Sequence, residues 1–236
     1  MKKIIVSNKA SNKFFSLLEN LKLDFVKSID NKNFNLNYLD HPDISVFSFE
    51  DKVYVENSVY NFYAENLKGV DVQSVNVETF KNKETVLNIA YNDEYFFHNE
   101  NFSDKEIFSK LLKSRKYVKI NQGYANCSMI CFQNSVITSD EGIYKCLLEN
   151  KFKVHLVSTN GIFLNGYKNG FIGGTCGFIE KDKLLFYGDV TKYIDYDIIK
   201  KVADKEKVKL IFPKDEPFVD LGGIILVGGK YGNYKA

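Results

Sequence analysis

The sequence predicts an α/β fold: a ring of five strand–hairpin–strand–helix–strand (ββαβ) units, the fifth assembled from both ends of the chain. Three observations predict it. The pattern of a strand, a two-residue polar turn, an antiparallel return, a helix and a further strand recurs four times along the chain. The stretches left over at the two ends are complementary fragments of that same pattern, and joining them would leave no sheet edge exposed. The composition is that of an ordinary globular protein: 236 residues, 44% hydrophobic and 26% charged, which excludes wholesale disorder.

In chain order, KKIIVSN supplies a strand, and Ser11 caps an amphipathic helix over 12–21 carrying Phe14, Leu17, Leu18 and Leu21. A strand over 23–26 follows. The first complete unit, 41–80, has a strand over 44–50, a turn at Glu50 and Asp51, and a return over 52–56. Asn57 is its expected helix cap, Gly69 its helix stop, and 70–77 its last strand. The second unit, 84–121, turns at Asn92 and Asp93, and Ser103 with Glu106 forms a capping box for a helix through Leu112. The third, 122–158, turns at Gln133 and Asn134, and Ser139 caps a helix with Ile143, Leu147 and Leu148. The fourth, 171–212, turns at Lys181 and Asp182 and places a helix over 195–204. The fifth combines 218–236 with 1–27, with GGKYG as the turn between its two halves. An open doubly wound sheet is the rival arrangement, but parallel neighbours need crossovers, and hairpins in every unit count against it.

Several function classes are excluded. A net charge of +2 does not suit a nucleic-acid binder. No apolar run approaches the ~18–20 residues of a membrane span, and the N-terminal apolar run is too short for a signal peptide. Cys127 and Cys131 lie four apart in an alternating segment, which puts them about 13 Å apart on one strand face, too far to bridge. The expectation is reduced thiols in a cytoplasmic protein. No Cys/His cluster points to a metal. GFIGGTCG leads into a strand rather than a helix and GGKYG lacks GK[ST], so no cofactor is expected.

Five such units resemble the pentein fold, the α/β-propeller of the guanidino-group-modifying enzymes. That superfamily includes arginine deiminase, dimethylarginine dimethylaminohydrolase and glycine amidinotransferase, together with a ribosome anti-association factor that is not an enzyme. At motif level the chain is similar to an uncharacterised bacterial, largely clostridial, family assigned to this fold. The stretches that carry the likeness are HPDI (41–44), QGYANCS (122–128), ITSDEGIYK (137–145), GFIGGTCGFI (170–179), LFYGD (185–189) and DLGGII (220–225). The resemblance implies that the first strands of the five units meet at an axis where a small ligand sits. The axial candidates are then His41, Asp43, Asn88, Tyr124, Asn126, Cys127, Gly173, Gly174 and Asp220. Carboxylates there would take a guanidinium by bidentate hydrogen bonds, and amides would orient the rest.

The enzymes of that fold use a cysteine in the last unit, a histidine in the fourth and a carboxylate in the third. This chain has DLGGIILVGG, GFIGGTCG and Asn126-Cys127 in those places, so the usual set is missing. A rearranged set would use Cys127 as nucleophile, His41 as base and Asp43 or Asp220 as orienter. Each has a structural alternative: Cys127 as a small residue packed at the axis beside Met129 and Cys131, His41 as the residue fixing the turn before Pro42, Asp220 as a turn former. Cys176, His98 and His155 read as buried packing, Asp140 as a charge following a cap, and Lys110, Lys113, Arg115 and Lys116 as a solvated helix end. Tyr60 and Tyr63 read as exposed. The insertion 158–170, with Phe163 and Leu164 at its centre, is either a lid over the axial mouth or a packed crossover. The expected function is binding of a small polar ligand of guanidino or amino type at the axis, as a divergent hydrolase or amidinotransferase. The alternative is a non-catalytic binding or assembly protein.

Overall fold

Hairpins need two short alternating strands and a turn that tolerates unusual backbone angles, and the chain supplies both. The computed structural model describes residues 2–228. Its elements run β1 (Lys3–Val6), α1 (Asn12–Asn20), β2 (Phe25–Lys27), α2 (Pro42–Ser45), β3 (Val46–Phe49), β4 (Lys52–Glu56), α3 (Tyr60–Asn66) and β5 (Asp71–Val75). Next come β6 (Ala90–Tyr91), β7 (Tyr95–His98), α4 (Lys105–Ser114), β8 (Lys116–Lys119), α5 (Ala125–Ser128), β9 (Met129–Cys131), β10 (Val136–Thr138), α6 (Glu141–Glu149) and β11 (Val154–Leu156). The last are β12 (Cys176–Glu180), β13 (Lys183–Phe186), α7 (Tyr196–Lys205), β14 (Lys209–Ile211) and β15 (Ile225–Val227).

Among the described residues these strands form five three-stranded sheets: β3-β4-β5, β6-β7-β8, β9-β10-β11, β12-β13-β14 and β15-β1-β2. In each, the middle strand pairs antiparallel with one neighbour and parallel with the other, the parallel partner being reached through a helix. Phe49 pairs with Lys52, leaving Glu50 and Asp51 as the turn, with Glu50 at φ +56°. The fifth sheet unites distant segments: Ile5 faces Ile225 in the antiparallel pair and Val26 in the parallel one.

Each hydrophobic core is shared by two neighbouring sheets and their helices. Phe47 and Tyr54 pack with Phe96 and Leu111, Phe97 and Val118 with Met129 and Leu147, and Ile130 and Ile137 with Phe186 and Ile199. Leu185 and Tyr187 pack with Phe14 and Leu18, and Ile5 and Val26 with Val53 and Tyr63. The first strands β3, β6, β9, β12 and β15 all line one cavity of about 140 Å³. No described helix is long and apolar enough to cross a membrane.

The structure corrects several local expectations. The strand expected over 44–50 and the strands expected to open the third and fourth units begin with helical turns: α2, α5 and a 3-10 turn over Gly173–Thr175. Cys127 therefore does not share a strand face with Met129 and Cys131. Helix caps sit one residue from the expected serines, at Asp104 and Asp140. A carboxylate accepts backbone N–H groups and opposes the positive helix end, so aspartate takes the cap. Ser103 and Ser139 use their hydroxyls elsewhere, on Asn99 O and Ile172 N. Glu56 rather than Asn57 caps the turn before α3. Tyr63 is wholly buried, not exposed. In 158–170, Leu164 is buried and Phe163 is exposed, with the Phe163 backbone bridging to Val219. GGKYG and the residues from 229 lie outside the described residues, apart from Gly228.

Candidate functional site

The helical turns that open the first strands set the site. In α2, Pro42 occupies the first turn, where its missing N–H costs nothing. The turn puts Asp43 inside the protein, 1% exposed, with its N–H donating to Gly222 O at 3.1 Å. In α5, the corresponding turn brings Asn126 and Cys127 to the same place. Cys127 Sγ donates to Asp43 Oδ2 at 2.9 Å, and Asn126 Nδ2 donates to the same oxygen at 3.3 Å. Asn88 clamps the thiol from the other side. Its Nδ2 donates to Cys127 Sγ at 3.0 Å, its Oδ1 accepts from Cys127 N at 3.1 Å, and Nδ2 also reaches Asp43 O at 3.3 Å. Asp43 Oδ1 is buried with no hydrogen-bond partner.

Asp220 completes the cluster from the fifth sheet's approach. Its carboxylate accepts from Phe171 N at 2.8 Å and Gly222 N at 3.1 Å, and His41 Nδ1 lies 3.9 Å away. The glycines are explained by closeness. A Cβ on Gly173 would lie 1.9 Å from Asn126 O, and one on Gly174 would lie 1.9 Å from Asp220 Oδ1. Gly222, at φ +78°, would drive a Cβ to 2.3 Å from that of His41. These backbones must be bare for the polar side chains to converge.

Burial dominates the electrostatics. It pushes the Asp43 carboxyl up, against the opposing hydrogen bonds from Cys127, Asn126 and Asn88. It pushes Asp220 up as well, with His41 opposing. Burial raises Cys127 well above the ordinary thiol value, and the charges of Asp43 and Asp220 add to it. Cys127 is thus held as a thiol that donates to a carboxylate, the reverse of what a resting nucleophile needs.

Of the sequence candidates, Asp43, Asn88, Asn126 and Cys127 form one hydrogen-bonded cluster, with Asp220 and His41 beside it. His41 faces Asp220 and makes no hydrogen bond to Cys127, so the triad of Cys127, His41 and Asp43 is not assembled as expected. Tyr124 precedes α5, half-buried at the edge of the cluster, its phenol pushed up by burial and by neighbouring Tyr38. Sequence reasoning missed Asp40, Ser7 and Tyr187. The Asp40 carboxylate accepts from the Ser7 hydroxyl. Tyr187 OH donates to Gly223 O at 2.7 Å and accepts from Ser7 N at 2.9 Å. Both signals were present: Asp40 immediately precedes HPDI, and Tyr187 is the tyrosine of LFYGD. A second, larger cavity of about 510 Å³ opens against His41, Asp220, Asp40 and Tyr187. Among the described residues no group of His, Cys, Asp and Glu has the arrangement to hold a metal ion.

Solved structures of guanidino-modifying enzymes share this architecture. Dimethylarginine dimethylaminohydrolase from Pseudomonas aeruginosa matches at a TM-score of 0.52 and 9% identity, over 91% of this chain and 94% of that one. Agmatine deiminase from C. jejuni matches at 0.50 and 12%, over 89% and 75%. An amidinotransferase of saxitoxin biosynthesis from Microseira wollei matches at 0.54 and 10%, over 94% and 84%. At such identities the likeness is one of fold, and the fold is the pentein fold. No curated protein matches the sequence. The model of a family of unknown function, DUF6873, matches residues 5–225, and the chain belongs to that family.

Proposed function

We propose that this chain is one five-unit pentein domain that binds a small organic cation of guanidino or amino type at its axis, against Asp43 and Asp220. The observation that carries the reading is Asp43: 1% exposed, with one carboxylate oxygen lacking any partner and no Lys or Arg side chain paired to it among the described residues. An uncompensated buried carboxylate is costly, and a ligand cation with N–H donors relieves that cost. The amides of Asn88 and Asn126 then hold Asp43 in place, and the small cavity gives the ligand room beyond it.

The raised thiol favours binding without turnover in the resting state. A second reading rests on the 2.9 Å contact between Cys127 and Asp43. There the bound cation offsets both carboxylates, Cys127 gives its proton to Asp43, and Sγ bonds to the guanidinium carbon as a C=N π pair moves onto nitrogen; Asp43 returns the proton to the nitrogen whose C–N bond then breaks, leaving a thiouronium on Cys127 for water or an acceptor amine, as in a divergent hydrolase or amidinotransferase. One experiment separates these readings. In a thermal-shift series with arginine, agmatine and methylguanidine, at least one ligand is expected to raise the melting temperature of the wild type but not of Asp43→Asn. If no cation shifts the wild type, the binding reading is wrong. Iodoacetamide on the same samples is expected to label Cys127 slowly without ligand. Protection of Cys127 by a ligand, with release of an amine, would establish the cysteine chemistry.

A further inference from the structure

We propose that the outer edge of β11, with the ridge of α7 beside it, is a docking surface for an acidic, extended segment of a partner protein, added as a fourth strand to the third sheet. The inference is independent of the axial site.

β11 ends its sheet: the strand order is β11-β10-β9, and among the described residues no strand pairs with its other side. Lys153 O accepts from Val136 N, and Val157 N donates to Thr138 O, so the odd-numbered residues turn their backbone groups to β10. The N–H and C=O groups of Val154 and Leu156 then face outward, which is the template that strand addition uses. Side chains alternate as well. Val154 enters the core with Leu147, which leaves Lys153 and His155 on the opposite face.

That face lies against α7. Ile199, Val202 and Ala203 seat the helix on the third sheet by packing with Ile137 and Val157. Ser158 N donates to Asp195 Oδ2 at 2.6 Å, which pins the end of the strand to the start of the helix. From that pin the strand and helix run side by side in opposite directions. Two strand residues advance about 6.6 Å and four helix residues about 6 Å, so their steps stay level. Lys153 therefore meets Lys205, and His155 meets Lys201. The electrostatics agree. Desolvation and the facing Lys205 push the Lys153 ammonium down, with Glu206 opposing. Burial, then Lys153, Lys201 and Lys205, push the His155 imidazole down.

These cations have no answer within the chain. The nearby carboxylates are engaged, Asp204 with Lys200 and Glu206 with Asn134 and Ser135, and among the described residues Lys153, Lys201 and Lys205 form no ion pair. Lysine on an open edge can simply discourage random pairing. At the outer edges β5 and β8, however, the charge is balanced internally: Asp71 by Lys52, Lys116 by Glu94 and Lys119 by Glu100. Two level basic pairs without a carboxylate suit a partner that brings its own. Alternate side chains of an extended segment stand about 6.6 Å apart, the same step, and opposite charges on neighbouring strands attract. The exposed apolar side chains beside the pin, Leu156 and Ile194, are aliphatic and offer no stacking platform for nucleotide bases, which favours a protein segment over a nucleic-acid strand.

The test is fluorescence anisotropy on the whole chain with three labelled probes: an octapeptide of alternating glutamate and valine, the same peptide with its backbone nitrogens methylated, and an octamer of uridylate. The unmethylated peptide is expected to bind, and methylation to weaken it at least about tenfold by removing the ladder bonds. Lys153→Glu with Lys205→Glu is expected to cost at least about tenfold in affinity, and Lys153→Gln with Lys205→Gln a smaller loss in the same direction. Lys116→Glu with Lys119→Glu makes the same change in net charge at the β8 edge and is expected to alter affinity less than about twofold. Thermal melts of each variant establish that it is folded. Equal losses at the two edges would reduce the effect to net charge, undiminished binding of the methylated peptide would remove strand addition, and tighter binding of the uridylate octamer would assign the edge to nucleic acid. Any of these overturns the inference, as does failure of the unmethylated peptide to bind the wild type.

Discussion

The axial cavity has a carboxylate at each end, and the two are treated differently. At the hairpin end, Asp93 is paired with Lys181 at 3.0 Å, and the neighbouring Asn92 ties the turn by accepting from Glu94 N and Tyr95 N. The chain there answers its own charge. At the opposite end, Asp43 receives a thiol and amides but no cation, although the protein has 32 lysines and arginines to draw on. Elsewhere lysines find carboxylates readily, as Lys116 finds Glu94 and Lys119 finds Glu100. The contrast teaches that the axial end is not short of counter-charge by composition. Its geometry, helical and 3-10 turns that approach closely at bare glycines, brings polar side chains together with no Lys or Arg among them in the described residues.

The most damaging way to break the contrast is to fill one of those gaps. Gly174→Ala puts a methyl where Asp220 Oδ1 now lies, so the carboxylate or the turn must move. A loss of about 3 kcal/mol in stability is expected, at the upper end of overpacking costs, together with loss of the ligand-induced melting shift. A variant that melts like the wild type and still responds to ligand would show that Asp220 is not pinned there.

Acid stability comes next and must be separated from the axial carboxylates. His98 is wholly buried, neither ring nitrogen has a partner, and burial pushes the imidazole down to about 4. The unfolded chain takes up that proton near pH 6.5 while the native state resists until about 4. Stability from this group therefore falls as pH drops through that window, by an amount on the order of 2–3 kcal/mol at its acid end. Denaturant melts of His98→Phe against wild type at pH 7, 5.5 and 4.5 check it. The difference between the two is expected to shift toward the variant as pH falls, and a constant difference would contradict a neutral buried imidazole.

The hairpins were legible because a turn between alternating strands is a local signal: Glu50 with Asp51 and Lys181 with Asp182 stand where the sequence put them. The caps were legible only to within a residue. Ser-Asp offers two acceptors in a row, and what else the serine hydroxyl bonds, Asn99 O nearby in the chain for Ser103 and the distant Ile172 N for Ser139, decides between them. The helical turns at α2 and α5 were not legible by alternation. All four residues of α2 are buried, as are three of four in α5, so no polar face marks the period. That omission hid how Asp43 and Cys127 meet. Sequence could nominate His41 and Cys127 together, but the 3.9 Å approach of His41 to Asp220 depends on Gly222 at positive φ, a tertiary detail.

The smallest effects give the sharpest comparison, because the two ends should respond with opposite signs. Lys181→Ala removes a partner that is largely solvated, so a loss below about 1 kcal/mol is expected and ligand binding should be untouched. Asp43→Asn should instead stabilise the free protein, by about 1–2 kcal/mol, because it removes a buried charge without a counter-ion while keeping the side-chain volume. The pH dependence has a fixed sign. A carboxyl whose native pKa is raised gives no penalty below its ordinary value of 3.8, where both states hold the proton. As pH rises past that value the unfolded chain ionises first, so the penalty accumulates up to the native pKa and is constant above it. The advantage of Asp43→Asn over wild type should therefore vanish near pH 3 and grow as pH rises from there in the absence of ligand. With ligand bound the order should invert, since only the wild type gains the cation. If Asp43→Asn is less stable than wild type at neutral pH without ligand, Asp43 serves the fold rather than a ligand, and the two ends of the cavity are alike after all.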